Sequence, residues 1–180
     1  AGPEVFLPEP VAAGVAKKVL CERYGLVGVY PLDLGLQLDG LDKPEASRRI
    51  FLACEALMRS CDLLIANLTP FRGVSADVGT AYEMGYARAL GKPVLAYTNT
   101  PLDYRRRAEM VRAAPRLPFD GDFAAMEIED FGLADNLMLA VAAAESGAHV
   151  VQHPAAPGTE MTDLAGFERC LAIARDLVAA

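Results

Sequence analysis

Short runs of branched apolar residues alternate along this chain with longer stretches in which apolar positions recur every three or four residues. The short runs read as strands at 26–30, 63–67, 94–97 and 149–151. The longer stretches read as helices at 10–24, 44–60, 78–90, 103–113, 136–146 and 163–178. Strands separated by helix-length connections lie parallel, because a parallel neighbour can be reached only by a crossover. The runs at 63–67 and 94–97 are apolar at consecutive positions, so both faces of the sheet are expected to be covered. The predicted architecture is an α/β three-layer sandwich with a mainly parallel, flavodoxin-like or Rossmann-like sheet flanked by helices. Turn chemistry supports these limits: Gly25 and Gly91 stand where a helix ends in a left-handed residue, and Asp77 stands where an N-cap belongs.

At 180 residues the chain is long enough to bury one core unaided, and residues 1–180 are read as a single domain. No apolar run reaches the roughly 18 residues of a membrane span, and no leader is recognisable, so no membrane partner and a cytoplasmic location are expected. Asp and Glu outnumber Lys and Arg by 24 to 17, for a net charge of −7, which argues against nucleic acid as a partner. Cys21, Cys54, Cys61 and Cys170 form no C-x-x-C pair, and His149 and His153 have no ligand at metal spacing. Free thiols, no metal and no organic cofactor are expected.

In open parallel sheets, ligands bind beyond the carboxyl ends of the strands. The richest loop at such a place runs from Asn67 through Phe71, Arg72 and Gly73 to Asp77, and it leads into the helix that carries Glu83. On that helix Ala76, Gly79, Thr80, Glu83 and Ala87 share one face, so a carboxylate is the one large group among small ones. A ligand can approach the backbone there and meet Glu83. The nearby helix N-terminus favours the ionised carboxylate, the form needed by a nucleophile at a sugar carbon. Taken singly, Asp77 reads as an ordinary cap and Glu83 as a solvated acid. Their combination with the Phe71-Arg72-Gly73 loop turns the reading towards function.

The stretch Ala66-Asn67-Leu68-Thr69-Pro70-Phe71-Arg72-Gly73, followed by Asp77-Val78-Gly79-Thr80-Ala81-Tyr82-Glu83-Met84-Gly85, resembles the nucleoside 2-deoxyribosyltransferases. So do Asp130-Phe131-Gly132-Leu133-Ala134-Asp135-Asn136-Leu137-Met138 and the opening Ala1-Gly2-Pro3. The resemblance implies transfer of the 2-deoxyribosyl group between nucleobases through a covalent glycosyl-enzyme with net retention. Glu83 aligns with the nucleophile and Asp77 with the residue that holds a sugar hydroxyl. Phe71, Arg72 and Gly79 would shape the substrate pocket. Asn136 and Met138 align with residues that enter a neighbouring subunit's site, which implies a homo-oligomer of two or more subunits. The implied substrates are a 2′-deoxynucleoside and a free nucleobase.

The chain departs from the family pattern at three points. Members carry a strand with a tyrosine before A-G-P, whereas the sequence in hand opens at Ala1. Cys54 aligns where an Asp or Asn near the base is usual. Asp33 matches the third residue of P-L-D-N-Q, but Leu34 and Gly35 follow it. Two rivals share these residues. An N-glycoside hydrolase would use water as acceptor, acting on 2′-deoxynucleosides or their 5′-monophosphates, although Asp77 would repel a phosphate dianion. A non-catalytic nucleotide-sensing module would have no need of Glu83. A dinucleotide-dependent oxidoreductase is disfavoured because no G-x-G-x-x-G follows a strand. The Arg105-Arg106-Arg107 run reads as solvated or at a subunit contact, and Tyr82 and Tyr86 read as packed in the core or an interface.

Overall fold

The computed structural model describes residues 1–113 and 125–178. Its helices are α1 (Pro10–Arg23), α2 (Lys43–Ser60), α3 (Val78–Ala89), α4 (Tyr104–Ala113), α5 (Leu137–Ala144) and α6 (Ala165–Val178). Strands β1 (Leu64–Asn67), β2 (Val94–Thr98) and β3 (Val151–Gln152) form a parallel sheet in that order among the described residues. Ala66 lies opposite Ala96, and Tyr97 opposite Val151.

Alternate residues of β2 feed two cores. Val94 and Ala96 join Ala66, Met84 and Ala87 of α3, and Leu139 and Ala143 of α5. Leu95 and Tyr97 join Val151, Cys21 of α1, and Phe167, Cys170 and Leu171 of α6. All five β2 residues are buried, as a central strand covered on both faces must be. The three-layer α/β sandwich is therefore present. Gly166 lets α6 lie close to β2, since a Cβ there would stand 2.8 Å from the Tyr97 ring. Gly25 and Gly91 adopt φ of 73° and 74°, the left-handed conformation their positions after helices require. The four cysteines are free thiols, and no described helix is long and apolar enough to cross a membrane.

Two expectations need correction. Residues 26–30 run outside the sheet, without a ladder partner among the described residues. They and Leu63–Ile65 line a common cavity of about 1100 Å³. An apolar run becomes a strand only when a neighbour meets its backbone groups, and here the cavity separates residues 26–30 from β1. Ala1 holds the other side, pairing with β1 through its nitrogen to the Ile65 carbonyl (3.1 Å) and its carbonyl to the Asn67 N–H (3.0 Å). The last strand begins at Val151 and not at residue 149. Tyr82 takes neither core: it is 47% exposed, its hydroxyl donates to Glu55 (2.6 Å) and its ring stacks on Tyr86, so of the two expected settings the interface stays open.

The arginine run splits, because a helix turns successive side chains 100° apart. Arg105 and Arg106 are exposed, whereas Arg107 is buried.

Candidate active site

The site is built where β1 ends and α3 begins. Asp77 caps α3, its carboxylate accepting the Thr80 N–H at 3.2 Å. Six residues on, Glu83 emerges from the same helix. Asp77, Gly79, Thr80, Glu83 and Ala87 line one wall of the 1100 Å³ cavity, so the small-residue row with its single large carboxylate faces an open volume. Gly79 is needed small, since a Cβ there would lie 2.9 Å from an Asp77 carboxylate oxygen. Cys54, on α2, lines the same cavity. Burial raises its thiol pKa and the charge of Glu83 adds to the rise, so Cys54 is a neutral thiol at pH 7. That leaves two carboxyl groups on this wall, Asp77, engaged in capping, and Glu83.

The remaining predicted residues are not brought into that lining. Asp33 is exposed, accepting from Lys18 Nζ (2.6 Å) and the Tyr30 N–H (3.1 Å). Asn136 caps α5 through the Met138 N–H (3.0 Å) and donates to Glu129 (2.8 Å), while Met138 is 71% exposed. Phe71 and Arg72 stand at the rim. The Phe71 ring stacks on Phe6 with centroids 5.2 Å apart, and the Arg72 guanidinium lies 4.6 Å from the Phe71 ring and 5.0 Å from the Phe6 ring. Arg72 takes a left-handed φ of 56°, which turns it back over those rings.

Several site features had no sequence signal of their own. Phe6, from the Pro3–Phe6 turn, lines the cavity and carries the stack on Phe71. Tyr30 lines it too, beside Thr80 of the predicted small-residue row, and among the described residues the buried Thr80 Oγ1 and Tyr30 hydroxyl have no hydrogen-bond partner. Burial, with Glu4 and Asp33 nearby, pushes the Tyr30 hydroxyl up to about 12, so it is a neutral donor. Only folding shows that these side chains converge.

Glu4, which lines the same cavity, is 2% exposed and accepts from Lys17, from Asn67 Nδ2 (2.8 Å) and from the Tyr97 hydroxyl (2.9 Å). Asn67 in turn accepts the Thr69 N–H at 2.9 Å, so this network holds the start of the Asn67–Asp77 loop. A cluster of three or more metal-ligating side chains does not occur among the described residues.

A parallel α/β sandwich with an acid-bearing cavity between β1 and the first turns of α3 defines a small-molecule enzyme or binding domain. The family model for nucleoside 2-deoxyribosyltransferases matches residues 1–138, and the chain belongs to that family. A 2-desoxiribosyltransferase from Leishmania mexicana shares the fold, with a TM-score of 0.61 and 28% identity over 96% of this chain and 94% of that one. An uncharacterized protein of Schizosaccharomyces pombe is 36% identical over 118 residues, 63% of this chain. The match spans 53% of the yeast protein, about half the length of that curated relative.

Proposed function

We propose that the protein transfers 2-deoxyribose between nucleobases, with Glu83 as nucleophile. The observation that carries this reading is the shared wall, on which Glu83 and Asp77 line one cavity from the first two turns of α3, within the family's own motif.

In this reading a Glu83 oxygen attacks C1′ of a 2′-deoxynucleoside as the C1′–N bond breaks, and the electron pair leaves with the base. The base takes up a proton and departs, leaving a deoxyribosyl ester on Glu83. An acceptor base then attacks C1′ from the other face, expels the carboxylate and loses its own proton. Two displacements give net retention. Without a 2′-hydroxyl, the substrate lacks an electron-withdrawing group beside the cationic transition state, which favours deoxy substrates. Asp77 holds a sugar hydroxyl with the carboxylate oxygen not used in capping. Gly79 leaves room for the sugar, and the Phe6–Phe71–Arg72 stack walls the entrance. Cys54 is a weak proton donor to a leaving base, so proton transfer there falls to another group or to solvent.

Asn136 and Met138, which lie outside this chain's own cavity lining, fit a homo-oligomer with shared sites. Exposed Met138 and Val141 on α5, and Val78 on α3, give these two packed helices an apolar outer surface. Four free thiols fit a cytoplasmic location.

Incubation with deoxyinosine, with and without adenine, followed by chromatography, tests the reading. Deoxyadenosine formed only with adenine supports transfer. Hypoxanthine in both tubes with no new nucleoside would assign a hydrolase, and binding without turnover a sensor.

A further inference from the structure

Arg107 and Asp135 form a buried ion pair that the transfer chemistry leaves unused. Asp135 is fully buried and Arg107 is 7% exposed. The Asp135 carboxylate accepts from the Ser75 hydroxyl, the Ala76 N–H (3.1 Å), the Asn136 N–H (2.7 Å) and Arg107 Nη2 (3.3 Å). Arg107 also donates to the carbonyls of Val74 (2.6 Å), Leu102 (2.5 Å) and Ala134 (2.8 Å). One guanidinium thus ties three chain segments to one carboxylate. Its planar fork of five N–H donors makes this possible, and a lysine could not reproduce it.

What the pair holds is informative. Ala76 immediately precedes Asp77, and Asn136 immediately follows Asp135. Ser75 also accepts the Phe71 N–H through its carbonyl (3.1 Å), closing the turn that carries Arg72. The ends of two segments bearing candidate substrate contacts therefore meet on the same side chain. Buried ion pairs are seldom the cheapest way to fill a core, so their use to fix one arrangement is the more informative reading.

We propose that Asp135, braced by Arg107, is a positioning residue that fixes the β1–α3 loop against the start of α5, and so sets Asp77 for sugar binding and Asn136 for its place at the site. This rests on the deoxyribosyl-transfer reading. Asp135 touches no substrate and acts through Ala76 and Asn136.

The test compares Asp135→Asn, the milder Ser75→Ala and the surface control Arg106→Ala, reading kcat and KM per folded protein and amide hydrogen exchange at Ala76 and Asn136. An asparagine presents an NH2 group to donors that the carboxylate accepts. Asp135→Asn should lower kcat by about ten- to a hundredfold, the scale of a misplaced contact, with KM for the acceptor base within about twofold and faster exchange at both amides. Ser75→Ala should move the same quantities less, and Arg106→Ala should leave them unchanged. If Asp135→Asn does not fold, Ser75→Ala decides by the same criteria. Faster exchange with kcat per folded protein unchanged would reduce the pair to a stability element and overturn the proposal, as would unchanged exchange. A wild-type chain that turns over no deoxynucleoside would overturn the transfer reading and the catalytic half of this proposal. The exchange data would still decide whether the clamp exists.

Discussion

Replacing Lys17 with Met tests whether the polar network in the cavity wall is a true charge pair. Met keeps the length of the apolar stem and removes the ammonium, which in the native protein contacts Glu4 and lies 5.0 Å from the Phe167 ring and 5.6 Å from the Tyr97 ring. Glu4 would keep two neutral donors, Asn67 and Tyr97, for a buried carboxylate. Leaving a buried charge without its partner costs about 3–5 kcal/mol. At ~2–4 °C per kcal/mol for a domain this size, the melting temperature should fall by about 6–20 °C at pH 7. Burial works to raise the Glu4 pKa, but the charge of Lys17 and the hydrogen bonds from Lys17 and Asn67 outweigh it, and the native value lies below 4.5. This lowered pKa stabilises the native state above pH 4.5, and the contribution is lost as pH falls through the folded-state value. In Lys17→Met, burial prevails and the carboxyl takes up a proton more readily, so the penalty should shrink between pH 7 and pH 4. Adding Glu4→Gln should recover part of the loss, because an amide oxygen still accepts from Asn67 and Tyr97. Thermal unfolding followed by circular dichroism at both pH values reads all three effects. A melting temperature within about 2 °C of wild type at pH 7 would refute the reasoning, and so would a penalty that does not change with pH.

Glu83→Gln should lower turnover by about three orders of magnitude or more while deoxynucleoside still binds in calorimetry; retained turnover would remove Glu83 from the nucleophile role. Gly79→Ala should separate stability from activity. The added methyl favours helix by up to about 1 kcal/mol, yet it crowds Asp77, so turnover should drop without a lower melting temperature. Asp77→Ala should cost about 1 kcal/mol through the lost cap, a fall of a few degrees, and should raise KM for the nucleoside. An effect on stability alone would mark Asp77 as a cap and nothing more.

Periodicity and turn chemistry were enough to place all six helices to within two residues at nearly every end, because an amphipathic helix satisfies its own backbone and advertises its buried face locally. The sequence also carried the row of Gly79, Thr80 and Glu83, since residues three and four apart on a helix are neighbours wherever the helix ends up. Residues 26–30 show the limit: their pattern is that of a strand, but strand formation depends on a partner elsewhere in the chain. The arginine run shows it again. Arg105, Arg106 and Arg107 are the same residue in the same helix, and only the packing of α4 against the 74, 102 and 134 carbonyls distinguishes the buried one. Asp135 lay within a recognised motif, yet its burial and four donors come from segments up to 60 residues away. Local spacing thus determined which groups share a helix face. The tertiary structure alone decided which polar groups lost their water, and those groups had to find one another across the fold.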